Sequence, residues 1–297
     1  MKIYDCFMFY DEKMILDLRL NCLDPYIDKF IIVESSFTHS GQIRKLKFNI
    51  NNYPNFKKKI IYIVLENQPD NLSQISESDS FDEKNSKYIL NALKRENLQR
   101  NTIEKGLADS SPEDIVIISD VDEIPNLELF DFKNIQNNIF LFKQKFYYYK
   151  FNLKLATFDW YGTKACKRKN LISPQWLRNI KDKKYPFWRI DTLFSKKKFQ
   201  NIEFVANGGW HFSNMKSAEE IETKLKTYLH HREYDVKPLG KAKIEEIMKN
   251  KKSVYNLNTD TKNEKIDGTQ DLVVTDTSEL PKYLKMNINK YKEWLDN

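Results

Sequence analysis

Glycine is scarce in this chain, with seven residues among 297. No G-x-G-x-x-G and no G-x-x-x-x-G-K-[ST] occurs among them. Both fingerprints need glycine so that backbone N–H groups can approach phosphates closely. Dinucleotide and Walker-type phosphate loops are therefore excluded, and any nucleotide bound here must have its phosphates held by side chains and a metal. Cysteine is sparse too. Cys6, Cys22 and Cys166 are scattered without C-x-x-C spacing, which argues against a zinc site or a disulfide framework and for reduced thiols. No apolar run approaches the ~20 residues that span a bilayer. The start, Met1-Lys2-Ile3-Tyr4-Asp5-Cys6, passes straight into a strand-like pattern with no signal region. The expectation is a cytoplasmic protein without stable membrane insertion. No internal repeat is visible.

The composition is 40% hydrophobic and 31% charged, which reads as globular rather than disordered. The net charge is +7, with basic clusters at 57–59, 164–169, 181–184 and 196–198. Such a balance favours anionic partners and leaves peripheral contact with an anionic surface open. A lysine-rich solvated surface explains it equally well, and no cluster carries a nucleic-acid motif.

The most informative run is Asp114-Ile115-Val116-Ile117-Ile118-Ser119-Asp120-Val121-Asp122-Glu123-Ile124-Pro125. A β-branched stretch ends in three acids within four residues, as a buried strand does where it surfaces at a site. Asp120 and Asp122, two apart, share a face of an extended backbone. Two hard oxygen ligands suit a divalent cation that also holds a phosphate. The plain alternative is a strand ending in a solvated acidic turn.

The pattern predicts strands at 3–9, 29–34, 60–65 and 115–119, with helices at 11–23 (Asp11 as a cap) and 84–107. Short strands apolar throughout predict an α/β fold with a mostly parallel central sheet flanked by helices. Ligands on such sheets sit at the carboxyl ends of strands, where Glu34, Thr38, His39 and Asp120 to Glu123 converge. The alternating aromatic stretch 139–161 predicts additional β-hairpin strands. Helices follow at 218–231 and 281–295, around a polar stretch at 250–278. Gly208-Gly209, a pair in a glycine-poor chain, marks a place needing open backbone geometry.

Tyr4-Asp5-Cys6-Phe7, Leu18-Arg19-Leu20-Asn21, Val33-Glu34-Ser35 with Thr38-His39-Ser40-Gly41, Ile117 through Pro125, and Gly208-Gly209-Trp210-His211-Phe212-Ser213 together resemble glycosyltransferase family 17. The motifs span residues 1 to 215 in the family's order. The resemblance implies a GT-A-like fold, a nucleotide-sugar donor (a UDP-sugar, UDP-GlcNAc in characterised members), Mn2+ or Mg2+, a glycan acceptor and inversion at the anomeric carbon. Animal members carry an N-terminal membrane anchor, which this sequence does not show, so a microbial or viral member is expected and the donor and acceptor are left open. The expected domain plan is a catalytic domain over 1–240, divided into a nucleotide-binding half at 1–125 and an acceptor-side half at 126–240. A polar and helical extension at 241–297 packs on it.

On this resemblance Asp122 ligates the metal directly, Asp120 ligates through water or holds the ribose, and His211 completes the metal site or is a hydrogen-bonded core residue. Glu34, Thr38, His39, Arg95, Asp120 and Trp210 form the expected donor-binding set. His39 contacts phosphate or acceptor, or orders its loop. Arg95 reaches the diphosphate as a bidentate donor, whereas solvent-exposed ion pairing is favoured for Arg100. Of Trp176, Trp188 and Trp210, the last is the one expected to stack on a sugar. Inversion needs a carboxylate base; Asp191 ranks first, Glu123 second, and Glu34 is a further rival. His230-His231 reads as a solvated helical face. Two competing functions stay open: a metal-dependent nucleotidyl- or phosphoryl-transfer enzyme, and a basic glycan- or nucleic-acid-binding module using the aromatics of 139–161.

Overall fold

The computed structural model describes residues 1–128, 130–132, 138–185, 188, 195, 198–199, 201–227, 234, 238–256 and 270–296. Its centre is a parallel unit. β1 (Ile3–Phe9), β2 (Lys29–Ser35), β3 (Ile60–Leu65) and β4 (Ile115–Asp120) lie in the order β3-β2-β1-β4. Alternation sends Phe7, Phe30, Ile32, Ile115 and Ile117 to one face, where they pack with Leu16, Leu18 and Leu20 of α1 (Lys13–Leu23). Cys6, Ile31, Val33, Val116 and Ile118 point to the other face and meet Ile103 and Leu107. Both faces are covered, which is why the strands read apolar throughout. The second cover comes from α2 (Phe81–Asn101), which opens with a Ser80–Glu83 capping box and runs into a tighter turn at Thr102–Leu107. That turn lies so close to β2 that a Cβ on Gly106 would stand 2.8 Å from the Ile31 side chain.

Past β4 the sheet changes sense. β8 (Lys164–Lys167) runs antiparallel to β4. The long β6 (Ile139–Tyr148) pairs antiparallel with β8 over its first residues and with β7 (Leu153–Trp160) farther on, while its other edge pairs parallel with β9 (Ile202–Ser213). Two short strands complete it: β5 (Glu123–Pro125) against β9, and β10 (Val273–Val274) against β7. The sheet is therefore large and mixed, not mostly parallel as expected. Residues 149–152 join β6 to β7 in a turn far too short for a crossover helix, and such a turn joins antiparallel strands.

The aromatic hairpin exists, but Phe140, Phe142, Phe146, Tyr147 and Tyr148 are buried and offer no surface for stacking bases. α3 (Pro174–Asn179) packs by β4 and β8. α4 (Ala218–Thr227) and α5 (Lys241–Lys249) cover β6 and β7 through Ile221, Leu225, Ile244 and Ile247. α6 (Lys282–Met286) and the turns of Ile288–Trp294 return to the first core through Leu284 and Tyr291. Among the described residues no helix is long and apolar enough to cross a membrane.

Candidate active site

β4 ends at Asp120 and the chain turns at once into β5. Arg19 of α1 holds that turn. Its Nε and Nη2 donate to the two Asp5 carboxylate oxygens at 2.8 and 2.6 Å. Its Nη1 donates to the carbonyls of Asp120, Val121 and Glu123 at 3.1, 3.3 and 2.8 Å. Arg19 and Asp5 are both fully buried. A guanidinium presents five donors in a fixed fork, so one side chain sets the path of the loop that carries the acids.

Asp120 and Asp122 then part company. Asp120 lies between two arginines: Arg178 Nη2 donates to Oδ2 at 2.7 Å and Arg100 Nη2 to Oδ1 at 3.0 Å. Burial works to raise this carboxyl, but the Arg178 and Arg100 charges outweigh it and hold it well below the usual carboxylate range. Asp122 faces His211, with Oδ2 and Nε2 3.5 Å apart. Burial again opposes ionisation there, but His211 and Lys224 together outweigh it, so the carboxyl is lowered. Among the described residues the buried Nδ1 atom of His211 has no hydrogen-bond partner.

His211 reaches Asp122 because β9 pairs with β5, Glu123 opposite His211 and Pro125 opposite Gly209. The Gly-Gly pair makes this possible. Gly209 has φ +129°, and a Cβ there would lie 2.1 Å from the Ile124 carbonyl oxygen; a Cβ on Gly208 would lie 2.6 Å from the Lys143 nitrogen. Two bare residues thus let β9 sit between β6 and β5.

Glu123, expected as a candidate base, is held in a buried hydrogen-bond network. It is completely buried and accepts from Arg178 at 2.7 Å on each oxygen, from the Asp120 backbone N–H at 2.8 Å and from Trp160 Nε1. A Cβ on Gly162 would overlap this carboxylate at 1.9 Å, so that glycine is required by the same network.

The acids open onto a cleft of about 480 Å³. Phe9, Tyr10, Phe37 and Trp160 form its apolar parts, and Thr38 and His39 also line it. His39 shares a hydrogen bond with Gln99 at 3.1 Å, and its pKa is lowered, chiefly by burial. Among the described residues the charged lining is balanced: Arg44, Arg100, Arg178 and Lys224 stand against Glu12, Glu96, Asp120 and Asp122.

Other expected residues lie elsewhere. Glu34 is fully buried and accepts from Arg44, from the Lys47 and Phe48 backbone N–H groups and from the Tyr62 hydroxyl. It fastens the 36–48 segment to the sheet and does not line the cleft. Arg95 donates to the His39 carbonyl at 3.2 Å and to Gln68 at 2.7 Å, shaping the 38–41 loop from outside the cleft. Arg100, read as solvent-exposed, is instead 1% exposed and on Asp120. Trp210 donates to the Glu279 carbonyl at 2.7 Å and does not line the cleft; Trp160 does. Asp191, His230 and His231 lie outside the described residues. Among the described residues no three His, Cys, Asp or Glu side chains converge as a metal cluster. Arg178, Trp160 and Lys224 were not anticipated. Gly162, one of seven glycines two residues after Trp160, was the available signal.

The model of Glycosyltransferase family 17 matches residues 1–296. The β-1,4-mannosyl-glycoprotein 4-β-N-acetylglucosaminyltransferases of Homo sapiens and Rattus norvegicus are each 30% identical to the chain over 118 residues, which is 38% of this chain and 20% of each relative. The match thus spans about a fifth of the length of these relatives.

Proposed function

The chain belongs to glycosyltransferase family 17, and from that premise we propose that its cleft transfers a sugar, GlcNAc from UDP-GlcNAc, to a glycan hydroxyl with inversion. The parallel unit with acids at its carboxyl edge supports a GT-A-like reading of the fold. The names of the relatives support the choice of sugar.

The observation that carries the reading is the balanced charge of the cleft among the described residues: four cations against four acids. Among the described lining residues, a nucleoside diphosphate brought into that space finds each cation matched by an acid, and the chain has no glycine-rich phosphate loop. A divalent cation, Mn2+ or Mg2+, supplies the missing charge. The oxygen and nitrogen donors fit one: Asp122 Oδ2 and His211 Nε2, 3.5 Å apart, would hold it. An ion held by these residues would supply Lewis-acid stabilisation of the leaving diphosphate. The role of Asp120 differs from that of Asp122. Its two oxygens orient Arg100 and Arg178, whose forks suit phosphate oxygens. Phe9, Tyr10, Phe37 and Trp160 exclude water from the reacting centre and give the donor an apolar wall.

The test is thermal-shift screening against UDP, GDP, CDP and short oligonucleotides with Mn2+ or with EDTA, followed by a consumption panel of UDP- and GDP-sugars. Stabilisation by UDP that requires Mn2+ is expected, worth about 2.7 kcal/mol at a hundredfold excess over Kd. Stabilisation by oligonucleotide alone would overturn the enzyme reading.

A further inference from the structure

We propose that Glu12 is the general base that activates the acceptor hydroxyl, and that the acceptor reaches it through a second cavity beside the cleft. The proposal rests on the glycosyltransferase reading given above. The second cavity, about 240 Å³, lies between the start of α1, the end of β9 and Trp294. Glu12, Asp122 and Lys224 line both spaces, so the two meet at these side chains. A donor in the larger space and an acceptor in the smaller one would face each other across Glu12.

The carboxylate is held for the task. Its Oε2 accepts from the backbone N–H groups of Tyr10 and Asp11 at 3.1 and 3.0 Å. Among the described residues its Oε1 has neither hydrogen bond nor ion pair. The neighbouring carboxylates are engaged: Glu96 by Arg100 at 2.8 Å, Asp120 by two arginines, Asp122 by His211, and Asp11 by Lys216. Glu12 also explains why α1 has no side-chain cap: the residue at its N-cap position turns its carboxylate back onto the preceding turn.

In the step, Glu12 Oε1 takes the proton of the acceptor hydroxyl while that oxygen bonds to the anomeric carbon. The bond from the anomeric carbon to the diphosphate oxygen breaks, and its electron pair leaves with the nucleoside diphosphate. Lost general-base catalysis costs roughly 10²- to 10⁴-fold.

The experiment compares wild type, Glu12→Gln and Asp191→Asn, each with the nucleotide sugar that wild type consumes fastest. Glu12→Gln keeps the side-chain shape and an oxygen for the two backbone N–H groups, so its melting temperature reports whether the fold is intact. Its kcat is expected to fall by roughly 10²- to 10⁴-fold, with the Kd for the corresponding nucleoside diphosphate and Mn2+ changed less than about twofold. A Glu12→Gln enzyme with kcat within about threefold of wild type overturns the proposal, as does a loss of kcat that only tracks lost nucleotide affinity. Loss of turnover in Asp191→Asn with Glu12→Gln unaffected assigns the base to Asp191. A wild-type protein that neither binds nor consumes any nucleotide sugar sinks the glycosyltransferase reading, and the base with it.

Discussion

Replacing Arg19 by methionine separates what this residue does for stability from what it does for the site. The guanidinium is fully buried, as is its partner Asp5. Its loss leaves an ionised carboxylate in the core between β2 and β4, and breaking a buried pair by removing one partner costs about 3–5 kcal/mol. At roughly 2 °C per kcal/mol for a chain of this length, melting should fall by about 6–10 °C. Adding Asp5→Asn removes the stranded charge and should restore on the order of 1–3 kcal/mol. Activity should not follow. The carbonyls of Asp120, Val121 and Glu123 lose their shared donor in both variants, so the loop drifts, and misplacement by about 1 Å costs around 10²-fold. Urea unfolding with a constant m-value measures the first effect, and donor turnover measures the second. A single variant less than about 1 kcal/mol below wild type, or a double variant no more stable than the single, would refute the argument.

Asp122→Ala should abolish Mn2+-dependent turnover and leave circular dichroism unchanged; retained turnover would remove the acid from the metal site. Gly209→Ala forces a side chain onto a φ of +129° and to within 2.1 Å of a backbone oxygen. It should cost about 3 kcal/mol or more, together with nucleotide binding, because β9 can no longer hold His211 against Asp122; a variant of wild-type melting temperature would contradict this. Lys164, on β8, donates to the Arg178 and Ile180 carbonyls at the end of α3, and burial pushes its ammonium down to about 7. In the unfolded chain it titrates near ~10.4. Between these values the unfolded chain binds more protons, so stability rises with pH, while below pH 7 the cost is present in full. The stability advantage of Lys164→Met over wild type should therefore shrink from about pH 6.5 to 9, and a difference independent of pH would show that the ammonium is not strained by burial.

Much of the fold was readable locally. The strands at 3–9, 29–34, 60–65 and 115–119 were legible because burial on both faces demands apolar residues at every position. Glycine scarcity pointed correctly to Gly208-Gly209, since a close approach of backbones leaves no other residue type. The helix at 11–23 was legible in its apolar spacing, but its start was not. Asp11 pairs with Lys216, more than two hundred positions along the chain. The mixed sense of the sheet was missed because strand direction is set by connections, and the parallel pairing of β6 with β9 joins segments some sixty residues apart.

The acid-tipped strand itself was determined by sequence: a β-branched run can be buried without partners, whereas three carboxylates need either water or charged and hydrogen-bonding partners where the strand ends. The different surroundings of Asp120 and Asp122 were not. Two residues apart in one motif, they are alike in every local respect. Only the tertiary structure sets one between Arg100 and Arg178 and the other beside His211. Glu123 is engaged in the same way, by Arg178 and Trp160 arriving from distant segments. A carboxylate's function depends on which charges and donors share its small volume. Those neighbours are chosen by helix docking and strand pairing, and neighbouring sequence carries no trace of them.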